Sequence, residues 1–240
     1  MIKKNLVVSL SGGKDSTAML LMMLEKNIPV HSAVFFDTGW EFPQMHEHID
    51  KIESMVDVPI VRLKPDRPFE YWMYDHMVIG KNGDVTRKGC GWPSPIRRWC
   101  TRSKVRTIKK HTRSINGAVE CVGFAADEIK RVKSNHINKR FPLIEWGITE
   151  EKALQYCYDK GFLWGGLYTH FDRVSCFCCP LQKLGDLRRL RKHYPDLWAR
   201  MLDMDSRITP NNRGFRDYTT VQDLENRFAQ EEKQLELWAA

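Results

Sequence analysis

The stretch Asn5-Leu6-Val7-Val8-Ser9-Leu10-Ser11-Gly12-Gly13-Lys14-Asp15-Ser16 decides the fold. Its first half, Asn5–Leu10, is apolar and β-branched and reads as a short buried strand. The glycine pair follows at once. From Ser16 to Lys26, Leu and Met recur at helical spacing until Asn27 and Pro29 stop the pattern. A strand handed to a helix through Gly-Gly makes a place for an anion. Gly12 and Gly13 let the backbone approach phosphate oxygens with no Cβ in the way. The helix start offers unpaired N–H groups and a positive dipole end. Lys14 adds a mobile charge, and Ser11 and Ser16 add hydroxyl donors. The Walker pattern G-x-x-x-x-G-K-[ST] is absent. Ser11, Gly12, Gly13, Asp15 and Ser16 are the expected phosphate-binding set, with Ser9 a further cofactor-binding candidate.

Outward from this loop the chain alternates. Val30–Asp37 reads as a second strand closed by Thr38-Gly39, Pro43 to Met55 as a helix with proline in its first turn, Pro59–Leu63 as a third strand and Ala118–Phe124 as a fourth. Such alternation predicts a doubly wound α/β fold, a parallel sheet with ligands at the carboxyl ends of its strands. Gly80 to Pro95 reads as loop, and no strand is expected after Pro142. Thr149–Lys160 reads as a helix capped by Thr149, with Glu150 and Glu151 in its first turn. Gly165 to Pro180 is irregular and aromatic, and Leu181–Tyr194 and Val221–Trp238 are helical. The expected division is an α/β domain at 1–145 and a mainly helical, cysteine-bearing region at 146–240.

The chain has 240 residues, of which 42% are hydrophobic and 28% charged, enough for a core of ordinary size. No apolar run reaches the ~20 residues of a membrane helix, and the start at Met1-Ile2-Lys3-Lys4 reads as mature, so a cytoplasmic protein is expected. The net charge of +8 is uneven: Arg97 to Arg113 holds eight Lys/Arg and no acid, with further basic runs at Lys183–Lys192 and Lys130–Arg140. Solvated helix faces are one reading; a polyanion, ATP phosphates or nucleic acid, is the other.

Seven cysteines without a secretory signal make disulfides unexpected and turn the question to metal or redox chemistry. Cys176, Cys178 and Cys179 crowd together before Pro180, while Cys90 and Cys100 sit in two upstream loops. Cys176 and Cys179, three apart, with Cys100 and Cys90 from elsewhere, have thiolate-ligand spacing for zinc or an iron–sulfur cluster. Arg97, Arg98, Arg102 and Arg173 would stabilise such thiolates. Cys178 reads as a fourth ligand, a free sulfur carrier or neither, and Cys121 and Cys157 as core.

Ser11–Ser16 resembles the S-G-G-x-D-S loop of the PP-loop ATP pyrophosphatases, which cleave ATP between the α and β phosphates. Asp37-Thr38-Gly39-Trp40-Glu41-Phe42-Pro43 resembles the D-T-G-x-x-F-P segment of the phosphoadenosine phosphosulfate reductase and sulfate adenylyltransferase branch. Gly123-Phe124-Ala125-Ala126-Asp127-Glu128 with Arg131 is similar to its G-x-R-x-x-E-x-x-R element, with Ala125 in place of an Arg. Pro142-Leu143-Ile144-Glu145-Trp146 and Arg173-Val174-Ser175-Cys176 through Cys179-Pro180 are similar to its P-L-I-x-W and R-x-G-C-x-x-C-P segments. The resemblance runs in order over about residues 5 to 200. It implies the adenine nucleotide α-hydrolase form of the doubly wound sheet, with ATP and Mg²⁺ over the first strand ends, Asp37 and Gly123 near the nucleotide, and Lys14, Asp15, Asp127 and Arg131 as the catalytic group.

The same resemblance implies a [4Fe–4S] cluster, with zinc as the alternative. Relatives pair Cys-Cys with C-x-x-C, whereas here Trp99-Cys100 supplies one thiol, and the text around Trp92-Pro93 and Arg98–Thr101 resembles the DNA phosphorothioation enzymes, leaving Cys90 to complete the set. Sulfonucleotide reductases end in a tail with Glu-Cys-Gly, while this chain ends Leu237-Trp238-Ala239-Ala240. The function expected is therefore ATP-dependent adenylylation of an acceptor followed by sulfur transfer. A nucleic-acid acceptor and a sulfur-donor protein such as a cysteine desulfurase are the expected partners. The alternatives are a sulfonucleotide reductase or sulfate adenylyltransferase, and a non-catalytic nucleic-acid-binding protein with structural zinc.

Overall fold

The computed structural model describes residues 4–132, 138–209, 214–216 and 218–239. The start at 1–3 and the middle of the third basic run, 133–137, lie outside the described residues. The elements in chain order are β1 (Asn5–Ser9), α1 (Lys14–Glu25), β2 (Val30–Phe36), α2 (Pro43–Met55), β3 (Ile60–Leu63), β4 (Met77–Ile79), β5 (Val85–Lys88), α3 (Trp99–Arg113), β6 (Ala118–Val122), β7 (Lys139–Arg140), α4 (Pro142–Glu145), α5 (Glu150–Asp159), α6 (Leu167–His170), α7 (Leu184–His193), α8 (Pro195–Ser206) and α9 (Val221–Ala239).

By packing the chain forms two compact units, 1–65 with 103–175, and 66–102 with 176–240. This replaces the expected division at residue 145. The stretch 66–102 leaves the α/β unit after β3 and packs with the C-terminal helices, and residues 146–175 stay with the sheet because α5 packs on α1.

The first unit is built on a five-stranded sheet in the order β3-β2-β1-β6-β7. Every pairing in it is parallel. The chain winds outward from β1 through β2 to β3, then returns to the other side of β1 for β6 and β7. The order of winding, with all strands still parallel, thus reverses between β1 and β6, the place where such sheets leave a crevice at their carboxyl ends. Val7, Val8 and Ala33 to Phe36 are buried, as the continuous apolar runs of a parallel strand require. The fifth strand, β7, is two residues long and went unread because its sequence is Lys-Arg.

The second unit gathers the β4–β5 antiparallel pair and α7, α8 and α9. Part of the stretch expected as loop is therefore a hairpin: Gly80–Asp84 turns the chain so that Thr86 Oγ1 can donate to the Val78 carbonyl at 2.9 Å. The basic run at Lys183–Lys192 is spent inside this unit. Arg188 pairs with Glu231 at 2.7 Å, Arg191 with Glu225 at 2.7 Å and Glu232 at 2.6 Å, and Arg189 with Asp186. In the third run Lys139 pairs with Glu120 and Arg140 with Glu145. The run on α3 has no acid of its own.

His48 of α2 is 4% exposed, and its Nε2 lies 2.8 Å from Thr17 Oγ1 on α1. Burial, with Lys51 adding to it, depresses the imidazole to about 3. The unfolded chain takes up this proton below about pH 6.5 and the folded chain does not. Stability is thus complete above that pH and drains as the pH falls towards 3, by up to about 1.4 kcal/mol per pH unit. Urea unfolding at pH 6.5 and pH 5 should show His48→Gln losing about 2 kcal/mol less than the parent across that interval. Equal losses would contradict a buried neutral His48.

Candidate functional site

The loop Ser11-Gly12-Gly13 leaves β1 at the switch point. Gly12 has φ +81°, a left-handed conformation open to glycine at no cost, and a Cβ there would meet Met45 Cε at 2.9 Å. Its carbonyl accepts the indole N–H of Trp164 at 2.8 Å, in a buried hydrogen bond. Ser16 closes the loop from below: its hydroxyl donates to the Gly13 carbonyl at 3.0 Å and accepts the Ser11 N–H at 3.1 Å. That hydroxyl has one proton, so Ser11 Oγ, 3.0 Å away, is the donor in their contact. At the start of α1 the Lys14 N–H goes to Tyr168 Oη at 2.8 Å. The N–H groups of Asp15 and Ser16, in the first turn, have no intrahelical partner. Together with the glycine amides they form a concave set of donors on a positive helix end, which suits an anion.

Lys14 was expected as a mobile charge and is not one. It is 5% exposed, and its ammonium lies 2.7 Å from Glu150 and 3.1 Å from Asp15. Burial works against the charge, but the carboxylates of Asp15 and Glu150 outweigh it and hold the ammonium above its ordinary range. Burial likewise pushes the Asp15 carboxyl up, against the pull of Lys14. Asp127 accepts the Glu150 N–H at 3.2 Å and so caps α5 beside Thr149, whose side chain takes the Lys152 N–H. Arg131 pairs with Glu128 and lies 4.2 Å over the Phe124 ring. Of the four residues expected as catalytic, Lys14, Asp15 and Asp127 are tied through Glu150 into a network joining α1 to α5, within which Asp15 borders the donor set, while Arg131 is engaged by Glu128 and Phe124.

Ser9 donates to Glu120 at 3.0 Å and fastens β1 to β6. Gly123 serves close approach: a Cβ there would stand 3.0 Å from the Ser16 backbone. Asp37, at the end of β2, accepts the Gly39 N–H at 2.8 Å and faces Lys64 at 3.7 Å. With Glu41 and His46 it forms a group whose ligand atoms all lie within 4.8 Å. Both Glu41 oxygens are engaged by Thr38.

In the second unit all five expected or candidate thiols, Cys90, Cys100, Cys176, Cys178 and Cys179, belong to the same compact body, and none of the seven cysteines is in a disulfide. The Cys179 N–H donates to the Cys176 carbonyl at 3.3 Å, so a tight turn presents these two side chains. Cys178 is 1% exposed, and burial, with Cys176 and Cys179 beside it, holds its thiol far above the ordinary value. It is a core residue. Burial also raises Cys90, against the pull of Arg87, Arg97 and Arg102. Among the described residues no three thiol sulfurs come within 4.8 Å of one another. Zinc with Zn–S near 2.3 Å needs its sulfurs within about 4 Å, so the thiols do not preform a closed zinc tetrahedron. A cubane cluster spreads its thiolates wider, and the half-buried Cys90, Cys100, Cys176 and Cys179 with arginines at hand suit it by donor chemistry.

Two supports escaped the sequence reading. Trp164 and Tyr168 fall in the stretch described only as irregular and aromatic, yet one holds Gly12 and the other caps α1. The available signal was Trp164-Gly165-Gly166, three successive residues with positive φ (49°, 56° and 83°) that only a glycine-rich segment can sustain. Glu150 likewise looked like a helix-end acid and is also the partner of a buried lysine.

These features define a doubly wound α/β protein with a loop of backbone donors, suited to an anion, at its switch point. A family model, the phosphoadenosine phosphosulfate reductase domain, matches residues 5–182, and the chain belongs to that family. Two uncharacterised proteins of Methanocaldococcus jannaschii are similar, 28% identical over 223 residues and 26% over 212, each match covering 83% of this chain. The matches take in 41% and 47% of those proteins, so the chain spans less than half their length. A phosphoadenylyl-sulfate reductase from Candida auris, solved as a phosphate complex, matches over 70% of this chain and 78% of its own, at 20% identity and a TM-score of 0.49.

Trp164→Phe keeps a ring and removes the N–H, leaving the Gly12 carbonyl buried and unpaired. It should cost about 2 kcal/mol of stability and weaken pyrophosphate binding measured by calorimetry. Replacing the neighbouring, 61% exposed Leu163 by Ala should change neither. Intact pyrophosphate affinity in a folded Trp164→Phe protein would show that the Gly12 bond does not shape the loop.

Proposed function

We propose that the chain binds ATP at the loop after β1 and carries out ATP pyrophosphatase chemistry. An acceptor oxygen attacks the α-phosphorus and pyrophosphate leaves; a sulfur nucleophile then forms its bond to the acceptor as the bond to the AMP oxygen breaks. The observation that carries this reading is the set of first-turn N–H groups of α1, at the carboxyl end of β1, with the Gly12 carbonyl turned away by Trp164. Preorganised donors of this kind supply charge stabilisation without covalent participation. The amides of Gly12, Gly13, Asp15 and Ser16 would grip the phosphates, the Ser11 hydroxyl would join them by turning its proton from Ser16 to the ligand, and Asp37 would lie beside the nucleoside. Mg²⁺, when bound, supplies neutralisation across the phosphate oxygens.

Cys90, Cys100, Cys176 and Cys179 would hold a [4Fe–4S] cluster, which supplies electron storage and sulfur ligation when bound. The acceptor fits a nucleic acid, since the run on α3 has no acid within it, and a cysteine desulfurase is a suitable sulfur donor. Membership of the reductase-domain family favours a second reading, in which the loop takes a sulfonucleotide and a thiol reduces it.

Gly13→Val decides whether the loop binds nucleotide. Its φ of −77° accepts any residue, but the added carbons crowd Tyr168 Oη, 3.3 Å from the Cβ position, and fill the phosphate space. Calorimetry with Mg-ATP should show at least a tenfold loss of affinity, with the far-ultraviolet dichroism of the parent. The parent should not reduce phosphoadenylyl or adenylyl sulfate with a thiol donor. Unchanged ATP affinity in the variant would sink the proposal, and thiol-dependent sulfite release would favour the second reading.

A further inference from the structure

The second unit contains a cavity of about 360 Å³ whose wall carries Arg87, Arg97 and Arg216 and, among the described residues, no carboxylate. Its size sits at the low end of the ~300–1,000 Å³ of small-ligand pockets, enough for one ligand-sized group and too narrow for a duplex. Arg97 is exposed and is in no ion pair with a described residue; Arg216 gives one N–H to the Gln182 carbonyl and has no carboxylate partner among the described residues. The guanidiniums of Arg97 and Arg216, with no carboxylate partner among the described residues, suit an anion with several oxygens, and phosphate matches their planar forks.

The rest of the wall suits a flat apolar group. Trp92 is fixed in place, its indole N–H donating to Asp205 at 2.7 Å and its ring edge-on to Phe215 at 4.9 Å. Tyr218 is 76% exposed at φ +68°. It stands next to Thr219, whose N–H donates to the Arg216 carbonyl at 2.7 Å and whose carbonyl accepts the Arg216 N–H at 3.0 Å. A glycine would take that conformation freely, whereas a bulky side chain there is costly. A strained, exposed aromatic ring beside a cluster of arginines is a site feature. Ile96, 69% exposed, adds an apolar edge.

We infer that this cavity binds one nucleotide unit, its phosphate on Arg97 and Arg216 and its base against Tyr218 and Ile96. Stacking on an aromatic ring beside basic side chains is how proteins hold unpaired bases, and it tolerates any base. The same chemistry can come from an unpaired strand or from a free mononucleotide. The inference deepens the reading of a nucleic-acid acceptor and rests on it for its meaning: Cys90, one of the residues proposed to hold the cluster, lines the same cavity, so the bound unit would stand beside that group of cysteines.

Binding of fluorescent ten-nucleotide single strands, followed by anisotropy at low salt, tests it without any turnover of ATP. Arg97→Glu with Arg216→Glu should lose about tenfold or more in affinity, and Tyr218→Ala about fivefold. Lys109→Glu with Lys110→Glu, on α3 and outside the cavity wall, should lose less. All variants should keep the parent's Mg-ATP affinity, so failure here leaves the phosphate-loop reading standing. Competition by AMP at concentrations that also bind directly assigns the site to free nucleotides; binding of strands without it assigns the site to an acceptor strand. Equal strand and AMP affinity in the parent and the Arg97/Arg216 variant, or equal losses in the α3 variant, would overturn the inference.

Discussion

The bond from the Trp164 indole N–H to the Gly12 carbonyl is the constraint on which the candidate site depends. It is a single neutral hydrogen bond, worth about 1 kcal/mol net when made and more when a buried carbonyl is left without it. Its effect is directional. With that carbonyl turned away, the left-handed Gly12 carries the chain from β1 into α1 so that amides face the opening. The support continues outward. Trp164 stacks on His48 at 4.4 Å between centroids, and His48 is tied to Thr17 on α1. Tyr168, edge-on to Trp164, caps the same helix. Three aromatic side chains from two segments therefore fix one turn of backbone.

Charge completes the frame. A lysine buried to 5% exposure would be costly alone, and its contacts to Asp15 and Glu150 compensate it. Because the Glu150 N–H is held by Asp127, the lysine fixes the start of α5 as well as α1. A ligand at the loop would thus meet a pre-set array of dipoles, with the ammonium already committed. This differs from a loop in which the lysine swings onto phosphate, and it moves the task of neutralisation to helix amides and any bound cation.

The sheet and the loop were legible in the sequence because each rests on a local pattern. Asn5–Leu10, Val30–Asp37 and Pro43–Met55 are short periodic runs bounded by glycine or proline, and their boundaries fall within a residue or so of the observed elements. What was hidden depends on contacts distant in sequence. Trp164 reaches a carbonyl 152 residues earlier, and no local feature announces that. The hairpin β4–β5 was masked by Gly80, Asn82 and Gly83, read as loop when they are its turn. The basic run at Lys183–Lys192 looked like a polyanion surface, but its neutralising glutamates sit on α9, more than 30 residues on. Conversely, the cavity with Arg87, Arg97 and Arg216 joins residues too scattered to form any motif.

The central claim is that the loop directs attack to the α-phosphorus of ATP. The identity of the products tests it most directly. ATP labelled at the α-phosphate should yield labelled AMP and stoichiometric pyrophosphate when the protein turns over with single-stranded nucleic acid and a sulfur donor. Labelled ADP with orthophosphate would contradict the account, since it would place the cleavage at the β–γ bond.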